Sequence, residues 1–192
     1  MQTKKTTILG LIIIIPQAFT DERGFFMEAF NRDRYREAGI DIEFVQDNLS
    51  VSKKGVIRGL HYQTPPFDQG KLVTVLRGRV LDVAVDIRHG SPTFGQFVSV
   101  ELSADNHKQF WIPAGFAHGF ATLEDDTIFS YKCTNPYSKE HDRGIHFDDP
   151  ALAIDWGVAE PIVSEKDRQC PLLNDAVSAF TYQPQTLIAS HL

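Results

Sequence analysis

Short runs of apolar residues recur along most of the chain, and turn residues separate them. The clearest alternation runs from Val80 to Ile87, where four apolar side chains share one face and Asp82 and Asp86 lie on the other. A period of two residues is typical of β-strands. Further runs predict strands at residues 71–76, 97–102, 109–112, 118–123 and 127–133. Many short strands without interleaved helices favour a mainly β protein, an antiparallel double-sheet barrel of the jelly-roll type with a few short helices.

Helical patterns are few and short. Residues 32–38 have the length of about two turns and are followed by Gly39, a common helix terminator. Ser164 precedes a second short helix near the end of the chain. The last residues, 181–192, carry no clear pattern. We therefore predict one domain over residues 1–180 and a C-terminal tail that we expect to be loose.

An apolar run over residues 8–15 superficially resembles a signal peptide, because Lys4 and Lys5 precede it. The run is far shorter than the ~18 apolar residues of a membrane span. Residues 16–19 also lack the small-residue pattern of a cleavage site. Consecutive isoleucines are stiff at χ1 and suit a strand covered on both faces. We therefore predict a cytoplasmic protein in which residues 8–15 form a buried strand.

The composition is typical of a globular protein. Hydrophobic residues make up 42% of the 192 residues and charged residues 23%, which supports a packed core. A formal charge of −6 argues against a general nucleic-acid or membrane-surface binder. Cys133 and Cys170 are too few for a disulfide framework and predict free thiols in a reducing compartment. Neither the Rossmann nor the P-loop glycine pattern occurs.

Residues 58–63 and 113–120 resemble the two motif positions of the cupin superfamily, whose barrels often hold a metal. In metal-binding cupins the first motif has two histidines one residue apart, followed by a carboxylate. Here the second histidine position is Gln63, and Asp68 is the only carboxylate at a comparable spacing. Two histidines and an amide are a poor ligand set for a divalent transition metal. We therefore predict a barrel pocket that works by acid–base chemistry, without a metal or another cofactor.

Eight segments, in order along the chain, resemble one family, the dTDP-4-dehydrorhamnose 3,5-epimerases, which are metal-free cupins of deoxysugar biosynthesis. The segments are residues 23–28, 46–48, 58–63, 69–71, 82–88, 113–120, 131–132 and 164–167. The resemblance implies an isomerase that inverts C3 and C5 of dTDP-4-dehydro-6-deoxy-D-glucose. The product would be dTDP-4-dehydro-L-rhamnose, a precursor of L-rhamnose for cell-surface polysaccharide.

The resemblance assigns His61 as the catalytic base, Asp167 as its partner and Tyr131 as the acid on the opposite face of the sugar. In a 4-ketohexose the C3 and C5 protons lie next to the carbonyl, so their removal gives an enolate. Histidine suits the base role because its ordinary pKa of about 6.5 lies near working pH. A carboxylate on the other ring nitrogen would fix its tautomer. Lys71 is suited to stabilise the enolate oxygen.

The resemblance also implies a pocket for the nucleoside diphosphate. Arg23 and Arg58 would bind the pyrophosphate, because the arginine fork makes paired hydrogen bonds with phosphate. Tyr137 would stack on thymine. Further implied substrate contacts are Glu28, Gln46, Asp47, Asn48, His118, Asp142 and Lys166. Asp142 stands where the family usually has a glutamate, and Pro136 where a second tyrosine is common, so these departures concern mainly the nucleobase end.

Two structural questions stay open in the sequence. Ser164 and Asp167 also match a helix capping box, in which the carboxylate only satisfies a backbone N–H. Strict alternation would put Arg58 and His61 on opposite faces of one strand. A bulge or bend at Gly59, or a position at the barrel rim, would bring both side chains into one pocket.

Alternative functions also stay open. An enzyme that inverts only C3 or only C5 would share the same machinery. A non-catalytic cupin that binds a nucleotide sugar and a metal-dependent enzyme are the other two classes. The resemblance further implies a homodimer in which N-terminal strands cross to the neighbouring barrel, with Arg23 and Glu28 in the neighbour's pocket. The apolar run at residues 11–15 would need such a cover.

Overall fold

The protein is described by a computed structural model that covers residues 1–177 and 179–183. Its strands are β1 (Gln2–Lys5), β2 (Ile12–Ile15), β3 (Ala18–Asp21), β4 (Gly24–Met27), β5 (Gln46–Ser52), β6 (Ile57–Gln63), β7 (Lys71–Arg77), β8 (Arg79–Asp86), β9 (Phe97–Ser103), β10 (Gln109–Ile112), β11 (Phe116–Thr122), β12 (Thr127–Cys133) and β13 (Asp142–Gly144). The helices are α1 (Arg32–Glu37), α2 (Glu165–Arg168) and a 3₁₀ turn at Leu173–Asp175.

Two antiparallel sheets pack face to face and confirm the predicted jelly-roll barrel. One has six strands in the order β1-β2-β10-β7-β12-β5, and the other has five in the order β13-β6-β11-β8-β9. Strands β3 and β4 form a separate hairpin. Both predicted helices are confirmed. Asn31 caps α1, and Ser164 caps α2 by accepting a hydrogen bond from the backbone N–H of Asp167.

The apolar N-terminal run is a strand over a shorter stretch than the sequence predicts. Gly10 adopts φ +104° in a turn, and the strand begins only at Ile12. This positive φ favours glycine, so the chain reverses there instead of continuing the strand. The prediction of cover on both faces is confirmed, because Ile13 packs against the barrel core and Ile14 belongs to a cluster with Tyr35 and Trp111.

The side chains between the sheets form the barrel core, which includes Val73, Phe110 and Phe129 from one sheet and Val80 and Phe120 from the other. Burial of each such side chain contributes about 1.5–3 kcal/mol to the free energy of unfolding. The alternation predicted for β8 is confirmed. The four apolar side chains at residues 81, 83, 85 and 87 lie on the outer face of the sheet, where they belong to a separate cluster, and Asp82 and Asp86 lie on the other face.

The chain after β13 packs on the outer face of the five-stranded sheet. Ile145 and Trp156 belong to the cluster on that face, and the segment then leads into α2. Thr181 forms a parallel bridge with His89, so the first residues of the predicted loose tail are attached. Residues 184–192 of that tail lie outside the described residues. Within the described part of the chain, every helix is too short or too polar to cross a membrane.

Candidate active site

A cavity of about 600 Å³ lies between the inner faces of the two sheets. Strands β5, β7 and β12 line it from one sheet, and β6 and β11 from the other. Phe120 and Phe129, stacked with ring centroids 4.1 Å apart, give it one apolar wall. The sequence-predicted residues that line this cavity are Asn48, Arg58, His61, Lys71, His118, Tyr131, Lys166 and Asp167.

A bulge at Gly59 brings Arg58 and His61 to the same cavity. In the pairing with β11, His61 lies opposite His118 and Arg58 opposite Phe120, so β6 has one residue more than its partner. Gly59 has φ +126°, and a Cβ there would lie 2.5 Å from the Cα of Gly119. Only glycine fits this backbone and this spacing. The bulge considered in the sequence is therefore confirmed.

His61 and Asp167 form a close pair at this wall of the cavity. His61 Nε2 lies 2.7 Å from Asp167 Oδ1, and the backbone N–H of Gly59 donates to Asp167 Oδ2 at 3.3 Å. Ser164 caps the helix with its own hydroxyl, while the Asp167 carboxylate is directed at the imidazole. Burial acts to raise the pKa of Asp167, but the hydrogen bond and charge of His61 outweigh it and hold that pKa below its ordinary value.

Tyr131 faces this pair from the other sheet. It lies on β12, and alternation directs it inward together with Phe129 and Cys133, as the sequence predicts. Burial raises the pKa of the Tyr131 phenol; the nearby Cys133 acts in the same direction and Arg58 against it. The phenol is therefore protonated at neutral pH.

Lys71 places a buried ammonium group in the same cavity. It is only 8% exposed, and its Nζ donates to the backbone carbonyl of His61 at 3.4 Å. Burial lowers the pKa of Lys71, while Cys133 and Asp142 act to raise it. A cation held in a partly apolar pocket interacts strongly with any negative charge that develops there.

A second histidine–carboxylate pair lies deeper in the barrel. His118 Nε2 is 2.9 Å from Asp82 Oδ2, and Asp82 is fully buried. Burial lowers the pKa of His118, although the charge of Asp82 acts to raise it. Asp82 is not among the residues predicted for the site, and its carboxylate at an inward position of an apolar strand is the signal that indicates it.

Tyr137, Asp142 and Lys166 line a smaller adjoining cavity of about 170 Å³. The Tyr137 hydroxyl donates to Asp142 Oδ2 at 3.1 Å, and Lys166 Nζ donates to the same oxygen at 2.5 Å. Burial acts to lower the pKa of Lys166, but Asp142 outweighs it and holds that pKa above its ordinary value. Asp142, although shorter than the glutamate usual in the family, thus contacts both Tyr137 and Lys166.

Strand β5 divides the three predicted residues at its start between two faces. Gln46 and Asn48 point inward and are joined by a 3.0 Å hydrogen bond. Asp47 points outward, where it forms an ion pair with Lys132 at 2.9 Å. Within one chain the side chain of Asp47 therefore does not reach the cavity, because neighbouring residues of a strand face opposite ways.

Arg23 and Glu28 also lie away from the cavity. Arg23 sits at the turn of the β3–β4 hairpin and is paired with Asp21, while Glu28 is paired with Arg34. The structure thus does not bring these two predicted substrate contacts to the cavity of their own chain.

Gln63 occupies the position where metal-binding cupins have their second histidine. Its amide is hydrogen-bonded to backbone groups of Phe67, Pro136 and Ser138. Among residues 1–177 and 179–183, no three His, Cys, Asp or Glu side chains group as metal ligands. The independence from a metal or cofactor stays a prediction.

The comparisons with known proteins agree with one another. The profile of the dTDP-4-dehydrorhamnose 3,5-epimerase family matches residues 5–175. A dTDP-4-dehydrorhamnose 3,5-epimerase of Shigella flexneri is 55% identical over 168 residues, which cover 87% of this chain and 93% of the relative. A dTDP-4-dehydrorhamnose 3-epimerase of Streptomyces niveus is 37% identical over 180 residues, which cover 93% of this chain and 87% of the relative.

A crystal structure of the dTDP-6-deoxy-D-glucose-3,5-epimerase of Legionella pneumophila Philadelphia 1, in complex with dTDP-4-keto-L-rhamnose, superimposes with a TM-score of 0.90. It is 54% identical, and the match covers 95% of this chain and 98% of that one. The family profile, the identity over most of the chain and the shared fold lead to one conclusion: this chain belongs to the dTDP-4-dehydrorhamnose 3,5-epimerase family.

Proposed function

We propose that this protein is an isomerase that converts dTDP-4-dehydro-6-deoxy-D-glucose into dTDP-4-dehydro-L-rhamnose by inverting C3 and C5. The observation that carries the proposal is the placement of His61, paired with Asp167 of helix α2, on one sheet and of Tyr131 on the facing sheet, with Lys71 in the same cavity. A sugar ring bound between the sheets has a base on one face and an acid on the other.

His61 removes the proton next to the C4 carbonyl. Because Asp167 accepts the hydrogen on Nε2, the free lone pair of the neutral ring is on Nδ1, and that nitrogen takes the proton. The C–H electron pair moves to form the enolate, whose O4 is stabilised by the Lys71 ammonium. A preorganised charge of this kind lowers the activation free energy by about 3–4 kcal/mol.

Tyr131 then delivers its phenolic proton to the opposite face of the same carbon, which inverts it. His61 loses its proton to solvent and Tyr131 regains one, so the enzyme returns to its starting state. For the nucleotide, we propose that Arg58 binds the pyrophosphate and Tyr137 stacks on thymine, with Asn48, His118 and Lys166 in further polar contacts. Gln46 and Asp142 support that end of the pocket through Asn48, Tyr137 and Lys166.

Turnover in deuterated water tests the enolate mechanism. We expect one deuterium at C3 and one at C5 of the product, counted by NMR. Label at one carbon alone would identify an enzyme that inverts a single centre, as the name of the Streptomyces niveus relative states. A wild-type protein that binds the substrate without exchange would refute catalysis in favour of a binding module.

Two variants assign the faces of the ring. His61→Asn removes the base, so exchange is lost while binding of dTDP persists. Tyr131→Phe keeps the base but removes the opposite-face acid, so His61 still exchanges the proton for deuterium and the configuration is retained. Equal loss of exchange in both variants would contradict this division of roles.

We further propose that the protein is a homodimer in which the β3–β4 hairpin reaches the pocket of the neighbouring chain. The hairpin hydrogen-bonds to no other strand of the described chain, and it exposes Phe19, Phe25 and Phe26. Leu49 and Val51 are also exposed, side by side on the outward face of edge strand β5. Apolar groups at these positions suit contact with a second copy.

Subunit mixing tests whether Arg23 acts in the partner's pocket. His61→Ala and Arg23→Ala proteins are each expected to have low activity. Because a mixed dimer would contain one pocket with both residues intact, mixing restores activity. Arg36→Ala, another exposed arginine, is the matched control and stays active alone. No restoration, or a fully active monomer by light scattering, would refute the crossed arrangement.

The cytoplasmic location stays a prediction. It is supported by two cysteines that are free among the described residues.

A further inference from the structure

Two glutamine side chains bind the backbone of the loop that carries Tyr137. Gln63 Nε2 donates to the carbonyl of Pro136 at 3.1 Å, and Gln63 Oε1 accepts from the N–H of Ser138 at 2.7 Å. Gln46 Oε1 accepts from the N–H of Tyr137 itself at 2.8 Å. Three consecutive residues are thus bound by side chains from strands β5 and β6.

The hydroxyl end of Tyr137 is held as well. Asp142 Oδ2 accepts from that hydroxyl, and Asp142 lies directly opposite Gln63 in the β13–β6 pairing. Gln63 is buried at 4% exposure, whereas Tyr137 is 57% exposed. The loop therefore presents an open aromatic face on a backbone fixed from beneath.

We propose that Gln63 is a positioning residue that holds Tyr137 in place as the stacking surface for the nucleobase. This inference rests on the proposed function, because it assumes that Tyr137 contacts the base. An amide carries a donor and an acceptor at the same end, so it binds the groups on both sides of Tyr137 at once. A histidine at this position would direct its two nitrogens apart and could not make this pair of contacts.

The energetic consequence follows from preorganisation. A ligand that needs one loop conformation binds more weakly in proportion to the fraction of molecules that have it. The binding free energy gained by stacking is reduced by the free energy needed to order the ring and its loop. Loss of the two Gln63 contacts to the loop should therefore weaken nucleotide binding without reaching the proton-transfer residues.

Gln63→Met tests this, because methionine keeps the length of the side chain and removes its hydrogen bonds. Isothermal titration should show about a tenfold rise in Kd for dTDP and an unchanged Kd for inorganic pyrophosphate, which has no base. KM should rise far more than kcat falls. Gln46→Met, which removes one loop contact, should give the same pattern with a smaller rise, and it serves if Gln63→Met does not fold.

A double-mutant cycle with Tyr137→Ala decides whether the effect passes through Tyr137. If it does, Gln63→Met adds little to the loss already caused by Tyr137→Ala. Asp149→Ala is the matched control: Asp149 is buried and binds the backbone N–H groups of Ala151 and Leu173, none of which lines either cavity, so its loss should lower Tm but leave dTDP binding unchanged.

The outcomes separate this inference from the proposed function. Additive losses in the cycle, or equal weakening of dTDP and pyrophosphate, would overturn the role of Gln63. Failure of the wild-type protein to bind dTDP would instead overturn the proposed function.

Discussion

Replacing Asp167 with asparagine would leave the shape of the site intact and reverse the hydrogen-bond polarity at His61. Asp167 is 3% exposed, and its two oxygens accept from His61 Nε2 and from Gly59 N–H. Asparagine can still accept from Gly59, but its NH₂ group then donates to Nε2. The imidazole proton must move to Nδ1, the nitrogen that has to take the substrate proton.

The expected loss is large for the rate and modest for stability. A wrong tautomer of this kind costs about 10³–10⁴-fold in kcat, or about 4–5.5 kcal/mol of the barrier. The charge-assisted hydrogen bond contributes about 1–2 kcal/mol to folding after allowance for the partial exposure of His61. Deuterium exchange at C3 and C5 measures the first, and urea denaturation the second.

Ser164→Ala distinguishes the pair from simple helix capping. It removes the N-cap hydrogen bond to Asp167 N–H at 3.1 Å and leaves the carboxylate in place. We expect a loss of about 1 kcal/mol in stability and a much smaller loss in rate than that of Asp167→Asn.

One outcome would refute the reasoning about the tautomer. It is that Asp167→Asn keeps more than about a tenth of the wild-type rate, which corresponds to a rise of only about 1.4 kcal/mol in the activation free energy.

Three further predictions concern the walls of the cavity. Gly59→Ala should destabilise the protein by about 3–5 kcal/mol in urea denaturation, because φ +126° and the backbone of Gly119 leave no room for a Cβ. As pH rises, kcat should fall at a pH below the ordinary lysine pKa, because burial lowers the pKa of Lys71 and the ammonium is lost earlier. Lys71→Arg should shift this alkaline fall in kcat to higher pH. Stability should fall as pH drops below about 6.5, since the unfolded chain binds a proton that buried His118 resists, and His118→Gln should flatten this limb in Tm measurements.

Strand positions with strict alternation were predictable from the sequence, and so were the residues they direct inward. Tyr131 lies where alternation in β12 places it, beside Phe129 and Cys133. The strand β6 was different, because alternation alone separates Arg58 from His61. Only the bulge at Gly59, which depends on the close approach of β11, brings them together.

Local sequence patterns do not predict which distant parts of the chain come into contact. The sequence around Asp167 fits a capping box and a catalytic pair equally well, and the choice depends on where His61 lies in space. The family motif groups Asp47 with Gln46 and Asn48, although a strand directs Asp47 to the opposite face. Arg23 likewise lies in the β3–β4 hairpin, away from the cavity of its own chain, and its local sequence does not indicate this.

The partner of His61 comes from 106 residues further along the chain. Between them the polypeptide completes the barrel and crosses its outer surface before α2 delivers the carboxylate. A ribosome must therefore have released nearly the whole domain before the imidazole acquires its orienting group. Under the proposed mechanism, a product truncated before residue 167 would keep every barrel strand but lack the carboxylate that orients His61, so it would be folded in large part and inactive.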